Sequence, residues 1–171
     1  MMRKIKSTTS TVFILSLLCC LITSCVDKVT SGPAYMVEDI TLPEGLTGEV
    51  AALDVLPDGR LVVAFMRGEL MLYDPVAKSW DLFASGLHEP LGLMAINEHE
   101  FLVMQLPELT RVKDTDGDKK ADLFETVYDE FGMTGNYHEF TYGPIKDTKG
   151  NLYVALNTTS SGGGVSKELR G

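Results

Sequence analysis

From residue 51 onwards, short apolar runs, either continuous or alternating with polar residues, recur along the chain, and each is closed by turn chemistry. Ala51-Ala-Leu-Asp-Val-Leu56 leads into Pro57-Asp58-Gly59, and Arg60-Leu-Val-Val-Ala-Phe65 into Arg67-Gly68. Glu69-Leu-Met-Leu-Tyr73 then leads into Asp74-Pro75, and Trp80-Asp-Leu-Phe83 ends the series. Runs of this length, punctuated by Gly, Pro and Asp, predict four strands joined by tight turns in one antiparallel meander.

The pattern then repeats. Gly59-Arg-Leu-Val-Val-Ala64 aligns with His99-Glu-Phe-Leu-Val-Met104 forty residues later, and with Gly150-Asn-Leu-Tyr-Val-Ala155 after a further 51. A forty-residue period of four strands is the signature of a β-propeller blade. The longer second interval is expected to hold an insertion of about eleven residues within 113–136, of the kind that repeat folds place on one face. Residues 35–157 are therefore expected to be all-β, a partial β-propeller of about two and a half blades, with 158–171 a Gly/Ser-rich loop and a truncated end. Three similar hairpins in a sandwich or barrel are the competing reading. Glycine, aromatic and β-branched residues are spread evenly, with hardly any amphipathic helix, which fits β structure either way.

The N-terminus has another pattern. Arg3, Lys4 and Lys6 precede an apolar run over 12–22, which ends in Ile22-Thr-Ser-Cys25. A charged start, a short apolar core and small residues before a cleavage point predict a secretory signal over 1–24. The core is too short to span a bilayer as a helix. Cys25 is expected to become the lipidated first residue, tethered by 25–34, and an ordinary signal peptide cut elsewhere is the alternative. Cys19 and Cys20 would leave with the signal, so the mature chain could form no disulfide framework, zinc-cysteine cluster or Cys-x-x-Cys-His haem site. Loss of the three basic residues takes the formal charge from −9 to −12. That balance disfavours nucleic acid and anionic lipid surfaces and suits cation binding.

Asp114-Thr-Asp-Gly-Asp-Lys-Lys-Ala-Asp122, followed by Leu-Phe-Glu125, carries the strongest chemistry. Calcium collects six to eight oxygens, and a twelve-position loop draws them from positions 1, 3, 5, 7, 9 and 12, position 7 through its carbonyl. Counted from Asp114, these are Asp114, Asp116, Asp118, Lys120 (backbone), Asp122 and Glu125. The glycine such loops need at position 6 stands instead at position 4 as Gly117, with Lys119 in its place. A left-handed lysine costs roughly 1 kcal/mol or more, and two adjacent lysines oppose a cation. An acidic, solvated turn is the plainer reading.

Gly86-Leu-His-Glu-Pro-Leu-Gly-Leu93, Phe101-Leu-Val-Met104 and Leu109-Thr-Arg-Val112 resemble a run found in glucose/sorbosone dehydrogenase-like propellers. The chain is closer still to the membrane-bound dehydrogenase domain of large secreted bacterial proteins. There an Asp-x-Asp-Gly-Asp-Gly-x-Ala-Asp loop precedes a Gly-Asn-x-His segment, here 114–122 and Gly135-Asn-Tyr-His-Glu-Phe140. The resemblance covers 50–157. It implies a six-bladed propeller whose better-studied members bind pyrroloquinoline quinone and calcium and oxidise sugars or polyols. It also implies a general base at His138, ahead of the strand ending Gly150-Asn-Leu-Tyr153; imidazole titrates near neutrality and can take an alcohol's proton. Two departures stand out: Glu139-Phe140-Thr141 replaces a Gly-Gly-Arg-like segment, and Leu156-Asn157-Thr158 replaces a Gly-Asp pair. A ligand-facing but non-catalytic histidine and a structural one are the other readings of His138.

His88 and His99 read as turn residues without partners, Met66, Met71, Met94 and Met104 as core filler, Trp80 as a packing anchor, and Gly162-Gly-Gly164 as a flexible connection. Two function classes follow. One is a lipid-anchored, extracytoplasmic quinoprotein-type dehydrogenase of the bacterial cell envelope that passes electrons to a c-type cytochrome; this chain by itself would be inactive. The other is a non-catalytic, calcium-stabilised propeller that binds glycans or protein partners.

Overall fold

The computed structural model describes residues 32, 34–132 and 138–157. The chain divides into two compact units, Met1–Asp39 and Ile40–Gly171. In the first, residues 34–39 have no regular structure, and Tyr35, Met36 and Val37 are exposed. Residues 1–24, expected as a signal, Cys25 and the glycine run at 162–164 lie outside the described residues.

The second unit is all-β. Its strands are β1 (Val50–Val55), β2 (Leu61–Phe65), β3 (Leu70–Asp74), β4 (Ser79–Ala84), β5 (Gly92–Asn97), β6 (Glu100–Met104), β7 (Leu109–Lys113), β8 (Leu123–Tyr128), β9 (Thr141–Lys146) and β10 (Leu152–Leu156). They form three antiparallel sheets: β1-β2-β3-β4, β5-β6-β7-β8 and the hairpin β9-β10. No sheet closes on itself, and the described residues contain no helix.

Aspartates set the tight turns. Asp58 accepts the Arg60 backbone N–H at 3.0 Å and its Nε at 2.7 Å, while Gly59 takes a φ of 89°. Asp74 Oδ1 accepts the N–H groups of Val76 and Ala77 at 2.8 and 2.9 Å. In the third hairpin Asp147 accepts Lys149 N, Asn151 N, Asn151 Nδ2 and the Tyr153 hydroxyl. Short carboxylates that bond the backbone two residues on are the physical reason Asp favours such sites.

Because strand side chains alternate between faces, each sheet has two packing surfaces. Val62, Ala64, Leu70, Leu72 and Phe83 of the first sheet share one core with Leu93, Phe101, Val103 and Val112 of the second. Phe83 and Phe101 meet edge to face at 4.8 Å. The opposite face of the first sheet buries Val63, Phe65 and Met71 beneath Leu42, Leu46 and Trp80. Trp80 anchors this cover, packing on Tyr73 at 4.6 Å and donating its indole N–H to Thr41 O at 3.0 Å. The outer face of the second sheet, with Leu102, Met104 and Leu109, receives Val154 and Leu156 of β10. β5 and β9 touch through backbone: a Cβ built on Gly92 would lie 1.6 Å from the Gly143 oxygen.

The extra length expected as one insertion over 113–136 is instead divided, because β8 lies inside that range and completes the second sheet. The β7–β8 loop has nine residues where the β3–β4 turn has four, and the connection into β9 has twelve where that into β5 has seven. A meander puts alternate connections at opposite ends. The β5–β6 turn and the acidic β7–β8 loop share one end; the β6–β7 turn and the segments entering β5 and β9 share the other.

Candidate functional site

Asp114 directly follows β7 and opens the loop, its side chain sealed from solvent. Its Oδ1 accepts Gly117 N at 2.7 Å, and its Oδ2 accepts Lys119 N at 3.0 Å and contacts His99 Nδ1 at 2.9 Å. The loop folds around this carboxylate, with left-handed backbone at Gly117 (φ 83°) and at Lys119 (φ 70°). Lysine thus occupies the conformation for which glycine was expected. Asp116 Oδ1 accepts Asp118 N at 3.2 Å, and Asp118 Oδ1 accepts Lys120 N at 2.8 Å. Burial pushes the Asp114 carboxyl up, but the hydrogen bonds from His99, Gly117 and Lys119 outweigh it and hold the group at about 2.

Carboxylate oxygens of Asp114, Asp116 and Asp118 lie within 4.8 Å of one another. Asp122 and Glu125 do not join them. Asp122 instead closes the loop base, Oδ1 accepting Thr115 N at 3.0 Å and Oδ2 accepting Thr115 Oγ1 at 2.6 Å. Glu125 sits on β8 directly opposite Arg111, which donates to it at 2.6 Å. In a helical hand, position 12 lies on an exiting helix that turns its carboxylate back to the ion; here a strand leaves the loop and Glu125 pairs across the sheet. Lys120, expected to lend its carbonyl, donates its N–H to Asp118.

His99 is the functional candidate that the sequence reading missed. Read as a turn residue without a partner, it contacts Asp114 through Nδ1 and Glu98 through Nε2 at 3.5 Å, and its carbonyl accepts Asp114 N at 2.9 Å. The signal was present in the repeat: the β5–β6 turn and the end of β7 must adjoin once β6 pairs with both neighbours. The loop also reaches the first sheet, Ala121 N donating to Phe83 O at 2.8 Å.

His138 stands at the other end. It is exposed, its carbonyl accepts Asn157 Nδ2 at 3.1 Å, and its ring meets Phe140 edge on at 6.4 Å. Glu139 and Thr141 are fully buried, and Thr141 Oγ1 donates to Gln105 O at 2.8 Å. Nearby, Gln105 Oε1 accepts His88 N at 2.5 Å, and Gln105 Nε2 donates to Thr110 Oγ1 at 2.6 Å. The five-residue strands β6 and β7 separate this end from the acidic loop, roughly 17 Å at about 3.3 Å per residue. No single ligand of ordinary size touches both. Residues 135–137 of the Gly-Asn-Tyr-His segment lie outside the described residues.

An all-β protein of serial antiparallel sheets, with three aspartates gathered at one end and a histidine-bearing connection at the other, is the class these features define. A family model matches residues 72–170, and the chain belongs to that family, described as Domain of unknown function (DUF7133). No curated protein and no solved structure matches the chain.

Proposed function

We propose that the sheets are blades of a dehydrogenase-like β-propeller, lipid-anchored through Cys25 outside the cytoplasm, with calcium held at Asp114, Asp116 and Asp118 and His138 facing a sugar or polyol at the opposite end. The observation that carries the reading is the repeated build: the first strands β1, β5 and β9 lie side by side, and β5 meets β9 at the glycine pair 92 and 143.

The donor set fits calcium. Oxygens that share an ion at about 2.3–2.6 Å lie no more than about 5 Å apart, and the three aspartates meet that condition. A carboxylate offers about four lone-pair sites, so the hydrogen bonds already made to Asp114 leave room for an ion. Water and backbone carbonyls would complete the shell. Calcium here stabilises the loop and, through the Ala121 to Phe83 bond, its junction with the neighbouring sheet.

The positions after His138 do not fit a quinone cradle. Glu139 and Thr141 face the interior, and Thr141 is committed to Gln105. These positions therefore offer pyrroloquinoline quinone no seat, and they supply no path for electrons onward to a c-type cytochrome. What His138 itself can do is accept a proton from a substrate hydroxyl. The buried Glu139 equally favours a second reading, a calcium-stabilised propeller that binds glycans or protein partners without chemistry.

Calorimetric titration of calcium and of pyrroloquinoline quinone into the chain tests both, with Asp116→Ala and His138→Ala as controls. Calcium binding that Asp116→Ala abolishes is the expected result, and no calcium binding overturns the metal reading. Quinone binding lost in His138→Ala would establish the dehydrogenase against the binding module.

A further inference from the structure

The turn between β5 and β6 departs from its counterparts in the repeat. Gly59 and Gly150 hold the place ahead of β2 and β10 that His99 holds ahead of β6, and both glycines take a left-handed φ, 89° and 90°. His99 is not among the left-handed residues, so the backbone of the turn does not ask for an imidazole there. What holds the ring is Asp114, whose side chain is 0% exposed and whose Oδ2 stands 2.9 Å from Nδ1.

That contact fixes the tautomer. Despite its burial, the Asp114 carboxyl is kept ionised by its hydrogen bonds, so it accepts and Nδ1 donates. A neutral imidazole then carries its lone pair on Nε2. Nε2 lies 3.5 Å from Glu98 Oε1, while the other oxygen of Glu98 is taken by Arg60 Nη2 at 3.3 Å. Two acceptors thus face one another across a short gap, on side chains 43% and 56% exposed and open to an ion from solvent.

The gap has the dimensions of a transition-metal site. Zinc holds histidine nitrogen and carboxylate oxygen at about 2.0–2.2 Å, which places two tetrahedral ligands roughly 3.4 Å apart. Calcium and magnesium prefer oxygen throughout, whereas imidazole suits zinc and its neighbours. A ligating histidine commonly gives its other ring N–H to a carboxylate, which orients the ring and raises its basicity. Asp114 already stands in that position. Asp58, Glu98 and Asp114 around Arg60 set three negative charges against one positive at this turn.

We propose that His99 Nε2 and Glu98 Oε1 bind a divalent transition metal ion of the zinc class, with Asp114 as the positioning carboxylate behind the ring and water in the remaining positions. Neither ligand belongs to the three-aspartate cluster, and the inference rests on neither the calcium nor the dehydrogenase reading.

Calorimetric titration of zinc chloride into the full chain, with calcium chloride at a fixed excess, tests it, and circular dichroism checks the folding of each variant. The wild type is expected to bind a single zinc ion. Asp114→Asn should weaken binding about ten- to a hundredfold, the cost of losing such an outer carboxylate, and His99→Gln and Glu98→Gln at least as much. Asp116→Ala and His138→Ala should bind as the wild type does. In isotope-labelled protein, zinc should shift the Nε2 resonance of His99 and leave those of His88 and His138 in place. A wild type that binds no zinc overturns the proposal. So does affinity left unchanged by His99→Gln, Glu98→Gln or Asp114→Asn, or binding lost with Asp116→Ala, which would put the zinc among the aspartates. If His99→Gln fails to fold, Glu98→Gln and the imidazole spectrum of the wild type decide the question.

Discussion

An aspartate sealed from solvent ordinarily favours its neutral form, because burial strips a charge of hydration. Asp114 escapes this through its partners, and its folded value of about 2 lies below the ordinary 3.8. A group depressed in the folded state contributes stability above its unfolded value and loses that contribution as pH falls through the folded one. For Asp114 the window runs from about 4 down to about 2. Acid unfolding of the metal-free protein, followed by circular dichroism, should therefore be steep in that window and shallower in Asp114→Asn. At Gly92 the argument is steric. A methyl group there meets the Gly143 backbone, and overpacking of a closed contact costs about 1–3 kcal/mol or more. Urea denaturation of Gly92→Ala should show at least that loss, with an unchanged dependence on urea.

At the scale of elements, the strands were legible because their apolar runs are short and their turns carry Asp, Gly and Pro. All four runs of the first meander became strands within a residue or so, and the forty-residue repeat anticipated the second sheet. The division of the second interval was not legible, since β8, Leu-Phe-Glu-Thr-Val-Tyr, is exposed throughout and lacks the buried alternation that marks the others. Nor was the site fully legible. Spacing gave Asp114, Asp116 and Asp118, but counting to position 12 presumed a helix after the loop, and cross-strand pairing with Arg111 decides where Glu125 points. His99 depends on register between elements fifteen residues apart, which no local pattern encodes. The junction between the sheets rests on Phe101, fully buried and edge to face with Phe83. Phe101→Ala should cost about 3–5 kcal/mol in chemical denaturation, more than Leu82→Ala, whose side chain is exposed on β4.

For the whole molecule, the acidic loop couples one sheet to the next. Ala121 N donates to Phe83 O, and Ala121 packs on the shared core. An ion bound only by the folded loop stabilises the protein by mass action, about 2.7 kcal/mol at a hundredfold excess over Kd. On the proposed reading of the three aspartates as a calcium site, calcium should raise the melting temperature in scanning calorimetry and slow hydrogen exchange at the Ala121 amide; the absence of a shift counts against that reading. Asp118→Ala should remove both effects and leave the strands intact.

A meander sorts its connections by parity. Segments at 56–60, 75–78, 98–99 and 114–122 emerge on one side of the stack, and those at 66–69, 85–91, 105–108, 129–132 and 138–140 on the other. The two sets are bridged by strands and share no residue. Random libraries drawn on one set alone would therefore rewrite one surface of the protein and leave its opposite pole as it was.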